Sequence, residues 1–332
     1  MKVTDLSLNG IRSIPDGRYD LTDGARKNPL DVVIVTGPSA SGKTSFLEAI
    51  AAVKEAIGPY GLPPRPSQFL RRGAGRGRIQ LTLALSKEEM DRSETTEPHV
   101  SLAWAFGGGD ATKEALPGVA RMLRGFSVEP GLGKFEYFAA RRQLPPDRRS
   151  SNIPPAPRLR LVDDADKYAA VAAYLHQRAA SDGLALGERL ATRGVALRTE
   201  ALDSLGPVKA AIAKLLPNLR LRGVSMRDAL PCIDFERRDG TVVEIDQLSD
   251  AERQGILFAV TFVQTGLRRS IVLIDTPELY LHPRDHAAFL EGLSVLGSDN
   301  QIIVATTSTE ILRSARPEQV IDLASPSDRA RT

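Results

Sequence analysis

Eight residues, Gly37-Pro38-Ser39-Ala40-Ser41-Gly42-Lys43-Thr44, constrain this chain more than any other stretch. They read G-x-x-x-x-G-K-T, the P-loop spacing that cradles the phosphates of a nucleoside triphosphate. The run before them, Asp31-Val32-Val33-Ile34-Val35-Thr36, is β-branched and apolar and predicts a buried strand. The run after them, Ser45 to Val53, predicts a helix with an apolar face. The glycines thus sit between a strand and a helix, as the chemistry requires. Gly37 and Gly42 let the backbone turn so that successive N–H groups face a phosphate, and the helix adds its positive end. Lys43 is placed to reach the β- and γ-phosphates, and Thr44 to put its hydroxyl on Mg²⁺. Pro38, Ser39, Ala40 and Ser41 supply the loop backbone and Ser45 the first helical turn, so all belong to the candidate binding set.

Composition narrows the rest. The 332 residues suffice for one large α/β domain, or a core with one insertion. With 42% hydrophobic and 26% charged residues, the chain is of ordinary soluble globular type. No run approaches the ~18 apolar residues of a membrane span. Met1-Lys2-Val3-Thr4-Asp5 has no signal-peptide layout, so no membrane partner and a cytoplasmic location are expected. Cys232 is the single cysteine, which excludes an internal disulfide and a cysteine zinc cluster, and its neighbours suggest a core position. Of the four histidines, only His282 and His286 share helical spacing, and no third ligand accompanies them. Net charge is +3, yet 34 of the 44 basic residues are Arg. Arginine forks to phosphate, but a GC-rich genome accounts for that bias equally well.

In chain order, Lys2–Leu8 alternates, Asn9-Gly10 turns, and Arg18–Leu21 pairs back as a hairpin. The stretch from Phe69 to Arg78 holds four arginines in eight residues, a phosphate-tracking run or a solvated loop. Ile79–Leu85 and Val100–Phe106 alternate as strands, residues 87–127 are otherwise ambiguous, and Phe135–Arg142 reads as another strand. A Pro- and Arg-rich linker, with Arg148, Arg149, Arg158 and Arg160, is expected over 144–160. Residues 161–217 turn helical: Tyr168, Val171 and Leu175 share one face after Asp163-Asp164 at the cap, and Val208, Ile212 and Leu215 share another after Pro207. Two alternating runs around Asp239-Gly240 predict a hairpin. The expected organisation is an N-terminal core part over 1–143, the linker over 144–160, a helical insertion over 161–217, and a C-terminal core part over 218–332.

Two further motifs complete the pattern. Gln247-Leu248-Ser249-Asp250-Ala251-Glu252 precedes an apolar helix, and Ser270–Ile274 is an apolar strand ending in Asp275. Asp275 there is the Walker B pattern, which holds Mg²⁺ through its water shell. The set resembles ABC-type ATPases of the SMC and RecF kind, and Asp275-Thr276-Pro277-Glu278-Leu279-Tyr280-Leu281-His282-Pro283 resembles the Asp-Glu-Pro-Glu-x-x-Leu-His-Pro stretch of RecF-like and overcoming-lysogenisation-defect (OLD) ATPases. The resemblance spans most of 1–60 and 230–325. It implies that Ser249, in the Leu-Ser-x-Gly-Glu signature, binds the γ-phosphate of ATP held by another subunit. The same five residues also make an ordinary helix N-cap. The resemblance places Arg12 and Ser13, in Asn9-Gly10-Ile11-Arg12-Ser13, beside the ATP, and offers Gln80 as a sensor of Mg²⁺ and water. Ala251 stands where the signature has Gly. Thr276 stands where the family has its catalytic Glu, and Thr307, in Ala305-Thr306-Thr307-Ser308, where it has its switch His. A Thr hydroxyl orients water but does not accept its proton near neutral pH. Glu278 is the one nearby carboxylate that could substitute, though the family uses it differently.

The expected fold is α/β, a P-loop NTPase with an ABC-ATPase-like mixed sheet, the P-loop and Walker B strands adjacent, N-terminal hairpins and an inserted helical lobe. The expected cofactors are ATP and Mg²⁺. The resemblance implies a head-to-tail homodimer or higher oligomer, slow hydrolysis, and a separate effector protein in anti-phage defence; the alternative is a RecF-like DNA-repair ATPase that binds DNA through its Arg-rich loops. The chain ends about where the ATPase region does, so the TOPRIM nuclease of OLD enzymes is expected to be absent. A guanylate-kinase-like reading of Gly37-Pro38-Ser39 is disfavoured by the 36-residue lead, the signature and the Asp275 strand.

Overall fold

The structure is a computed structural model, described over residues 1–24, 26–125, 132–146, 167–193, 203–227 and 230–324. Arg148, Arg149, Arg158, Arg160 and the Asp163-Asp164 cap lie outside those residues. The chain forms two compact units: Met1–Arg141, Leu159–Asp163 and Leu267–Thr332 make the first, and Arg142–Arg158 with Asp164–Gly266 the second. The stretch 218–266, expected with the core, therefore belongs with the helical stretch instead.

The first unit contains β1 (Lys2–Asn9), β2 (Gly17–Asp20), β3 (Val32–Thr36), α1 (Lys43–Ile57), β4 (Arg76–Ala84), α2 (Lys87–Ser93), β5 (His99–Gly107), β6 (Asp110–Glu114), α3 (Pro117–Arg124) and β7 (Phe135–Phe138). The second follows with α4 (Ala170–Arg193), α5 (Gly206–Leu215), β8 (Leu219–Arg227), β9 (Leu230–Arg237), β10 (Val242–Glu244) and α6 (Asp250–Gln264). The first then resumes with β11 (Ile271–Asp275), α7 (His286–Ser294), β12 (Gln301–Ala305), α8 (Thr309–Ser314) and β13 (Val320–Asp322).

In the first unit, parallel and antiparallel strands sort into separate sheets. One is antiparallel, in the order β2-β1-β4-β5-β6. The other is parallel, in the order β13-β3-β12-β11-β7. β11 and β12 are buried at every residue, which is why they read as unbroken apolar runs. β4 alternates along its length, as a strand covered on one face does. The P-loop and Walker B strands are not neighbours: β12 lies between β3 and β11. Apolar runs specify burial but carry no record of strand order, so sequence alone misplaced them. The strand expected over Phe135–Arg142 also stops early. It pairs with β11 only from Phe135 to Phe138, and the chain turns at Ala140-Arg141.

Helix α1 contacts both sheets and is buried over Phe46, Leu47 and every residue from Ala49 to Ile57. Only its N-terminal part, Lys43–Ser45 and Glu48, keeps exposure, so beyond Glu48 burial extends all round the helix and past the apolar face that the sequence predicts. Lys54 and Glu55 are swallowed with it and pair at 2.6 Å. Burial pulls the Lys54 ammonium down to about 7, against the pull of Glu55 and Glu136. Glu55 also accepts from the Tyr60 N–H. Replacing Glu55 by Ala removes the partner that holds the Lys54 pKa up, so the lysine sheds its proton near neutral pH and is left as a buried amine without that hydrogen bond. The expected cost is about 1–3 kcal/mol of unfolding free energy, measured by denaturant titration; an unchanged midpoint would contradict it.

In the second unit, β9 pairs with both β8 and β10, and the β9–β10 hairpin turns around Asp239-Gly240 as the sequence predicts. Tyr168, Val171, Leu175, Val208, Ile212 and Leu215 are all buried, matching their helical spacing. Cys232 is buried in β9. Arg142 is buried too: its Nε donates to Gln254 Oε1 at 2.7 Å, Gln254 Nε2 donates back to the Arg142 carbonyl at 3.1 Å, and the guanidinium lies over Phe258.

Candidate functional site

The carboxyl ends of four parallel strands meet along one edge of the first unit's sheet. The register is level there: Val35 pairs with Ala305, Asp275 with Ala305, and Ile274 with Phe138. The segments leaving that edge are Gly37–Thr44, Thr306-Thr307, Thr276–Glu278 and Ala139–Arg141. Open parallel sheets bind their ligands in the crevice at such ends.

The P-loop has the backbone its glycines allow. Gly37 has φ +142° and Gly42 φ +99°, in the region that disfavours side chains. A Cβ on Gly42 would meet Ile14 at 3.1 Å, so the loop after β1 packs against the P-loop. Lys43 Nζ donates to the carbonyls of Gly37 at 3.0 Å and Pro38 at 2.8 Å, so the ammonium lies across the loop. The Ser41 hydroxyl is buried with no hydrogen-bond partner. Arg12 comes to the first turn of α1, where its guanidinium bonds to Glu48 and Ser45 and stacks over Phe69.

The two residues expected at Mg²⁺ meet directly. Thr44 Oγ1 donates to Asp275 Oδ2 at 2.7 Å, across 231 residues of sequence. Asp275 is 5% exposed at the end of β11. Mg²⁺ is ordinarily held by one or two carboxylates, phosphate oxygens and waters, and a Thr–Asp pair beside a phosphate loop fits that donor set. Among the described residues, no cluster of three His, Cys, Asp or Glu offers a protein-only cage.

Beyond Asp275 the chain is strained. Thr276 has φ +52°, uncommon for a β-branched residue. Ala40, Arg12 and Tyr280 are also non-glycine residues at positive φ. Such strain costs about 1–3 kcal/mol per residue and concentrates at functional sites. The Thr276 N–H donates to the Ala305 carbonyl at 2.8 Å, which ties the Walker B turn to β12. Glu278 Oε1 accepts from the Thr306 hydroxyl at 2.6 Å and the Thr307 N–H at 3.4 Å, while its Oε2 is buried without a hydrogen-bond partner. Thr306 was not singled out by the sequence; the polar residue directly after the buried apolar run Ile302–Ala305 was the available signal. His286 links the same loop to α8: its ring nitrogens contact Ser308 Oγ and the Leu281 carbonyl. His282 caps a short helical turn by accepting from the Arg284 N–H, so the two histidines have separate structural partners.

Ser249, in the second unit, is exposed at the N-terminus of α6. It forms a capping box, with its hydroxyl accepting from the Glu252 N–H and donating to Glu252 Oε2 at 2.8 Å. Burial alone would raise the Glu252 carboxyl; the hydrogen bonds from Arg237 and Ser249 outweigh it and hold the group below its ordinary range. Gln80 sits within β4, with its carboxamide engaged by Ser101 and Arg78. Two of the four loop arginines are held internally: Arg71 by Asp16 and the carbonyls of Arg12 and Ile14, and Arg78 by Glu114.

A family model described as "AAA domain, putative AbiEii toxin, Type IV TA system" matches residues 89–313, more than half of the chain. The chain belongs to this AAA family. The match takes in Ser249, Asp275 and Thr307 and begins downstream of the P-loop. Among solved structures, the SMC head bound to the C-terminal winged-helix domain of ScpA is similar at 14% identity and TM-score 0.58, covering 97% of this chain and 94% of that one. An SMC head with an extended coiled coil, bound to the C-terminal domain of ScpA from Pyrococcus furiosus, gives 15% identity and TM-score 0.55, with 97% and 93% covered. The SMC head domain from Thermotoga maritima gives 14% identity and TM-score 0.51, with 97% and 94% covered. At these identities the likeness shows the fold, that of the ABC/SMC-like P-loop ATPases. A search of curated proteins finds no match. Among the described residues, no helix of this AAA-family protein is long and apolar enough to cross a membrane.

Proposed function

We propose that this AAA-family protein binds ATP·Mg²⁺ and works as an ATP-gated switch. The P-loop of one copy holds the triphosphate, and Ser249 of a second copy closes over it. Hydrolysis is slow, and the closed state controls a separate effector protein, with anti-phage defence as the setting. The observation that carries ATP·Mg²⁺ binding is the 2.7 Å contact between Thr44 and Asp275, with Lys43 lying across the adjacent loop. Bound Mg²⁺ supplies charge neutralisation of the phosphates; Thr44 and Asp275 fix where that charge sits. Slow turnover is supported by Thr276 and Thr307, whose hydroxyls are poor proton acceptors. Glu278 has one carboxylate oxygen committed to Thr306 and Thr307, which favours a positioning role over that of the base. An effector is supported by analogy, since two of the SMC heads of like fold carry a bound ScpA domain.

The experiment is a nucleotide titration with and without Mg²⁺. Wild-type protein is expected to bind ATP more tightly with Mg²⁺ than with EDTA, and Thr44→Ala to lose that gain by roughly tenfold, since a neutral oxygen ligand of the cation is removed. Binding indifferent to Mg²⁺ in the wild type, or a Thr44→Ala variant that keeps the full gain, would contradict the proposal.

A further inference from the structure

The edge that carries the P-loop, Asp275 and Thr306 has a fourth contributor that neither the motifs nor the proposal above uses. β7 is the parallel neighbour of β11, and Phe138 is level with Ile274. Ala139 therefore leaves the sheet beside Asp275, about one strand spacing (~4.8 Å) away. The chain turns at Ala140-Arg141, and Arg141 is exposed. Its neighbours on the chain behave differently. Arg142 is buried and held by Gln254 and Phe258, and Leu144 is buried with its carbonyl accepting from Arg253. Arg12, Arg71 and Arg78 of this unit are paired with Glu48, Asp16 and Glu114, while Arg72 and Arg76 are exposed before and in β4, a strand of the antiparallel sheet and not of this edge. Among the described residues, no hydrogen bond or ion pair occupies the Arg141 guanidinium.

We propose that Arg141 is the γ-phosphate reader of the nucleotide site. This rests on ATP binding at the P-loop as proposed above. The site's acidic side is well supplied, with Asp275 and Glu278 at the edge. Its cations are Lys43, on the P-loop itself, and Arg12, already paired with Glu48. The positions where a proton acceptor and a histidine are expected hold Thr276 and Thr307, neither of which carries charge. A terminal phosphate bears the most negative charge of the triphosphate and lies farthest from the P-loop backbone. A planar, permanently charged guanidinium entering from the β7 side of Asp275 supplies a fork for two of its oxygens. ADP has no group at that place. Arg141 therefore distinguishes ATP from ADP, and the fold gives it to the same chain whose P-loop holds the nucleotide.

The test is competitive displacement of a fluorescent ATP analogue by ATP and by ADP, on wild-type protein, Arg141→Ala, Arg141→Lys and Lys43→Ala. Arg141→Ala is expected to weaken ATP by about tenfold while changing ADP by less than about twofold, and Arg141→Lys to recover part of the difference. Loss of ATP and ADP affinity in equal measure, or no loss of either, would overturn the assignment. So would unchanged ATP preference together with weakened, salt-dependent binding of a DNA duplex, which would make Arg141 a surface contact for nucleic acid. If wild-type protein bound neither nucleotide and Lys43→Ala changed nothing, the ATP-binding proposal itself would fall, and Arg141 with it. The arginine is exposed, so folding of its variants is checked by their circular dichroism against wild type.

Discussion

Thr276→Glu raises ATP turnover by about 10²-fold. A positioned general base contributes typically ~10²–10⁴ in rate, and the position directly after Asp275 is held by a hydroxyl that cannot take the proton from the attacking water. The surroundings tolerate the change. Thr276 anchors its loop through its backbone N–H to Ala305, a bond that any residue but proline retains. Its φ of +52° is hardest on a β-branched side chain, so glutamate is no worse accommodated. Thr276→Gln is the matched control, with the same length and no basic oxygen. Steady-state phosphate release should rise with Glu and stay at the wild-type level with Gln. If wild type already turns over briskly and neither variant changes it, the base lies elsewhere, and the slow-switch proposal fails.

What the sequence could convey follows from the range of the interactions involved. The P-loop was legible because its geometry is local: two glycines at positive φ, a β-branched strand before and a helix after are all encoded within twenty residues. Asp275 was legible because a buried strand that ends in a carboxylate is a local signature too. An N-cap at Leu248–Glu252 was visible in sequence, with Ser249 or Asp250 as the capping residue; the structure gives the role to Ser249, in a capping box with Glu252. Strand order was not visible. β3, β11 and β12 are each apolar runs, and nothing in such a run says that β12 separates the other two. The clamp of Glu278 on Thr306 and Thr307 depends on that order, since it joins the ends of neighbouring strands β11 and β12. The stretch 87–127 stayed ambiguous because α2, β6 and α3 are short, and α2 and β6 are largely polar; β6 is exposed at every residue and has no alternation to detect. The linker arginines stand apart, since all four lie outside the described residues.

The arginine-rich run from Arg71 to Arg78 shows how structure discriminates between two readings that composition leaves open. Arg71 spends its guanidinium on Asp16 and two backbone carbonyls, which fastens the loop after β1 beside the P-loop. Arg78 is matched to Glu114 across the antiparallel sheet. Both are structural partners before they are candidate phosphate contacts. Arg72 and Arg76 remain exposed.

The central claim is that ATP closes two copies over one another through Ser249. Its most direct test is the light-scattering mass of the protein with ATP·Mg²⁺, with ADP·Mg²⁺ and without nucleotide, for wild type and Ser249→Asp. Aspartate is as good an N-cap as serine, so α6 keeps its cap at a cost of a few tenths of a kcal/mol. A second carboxylate where a terminal phosphate should dock is repulsive. The expected mass doubles or more with ATP only, with no increase for Ser249→Asp and none for Lys43→Ala. A mass indifferent to ATP, or an ATP-driven increase that Ser249→Asp leaves intact, would contradict it.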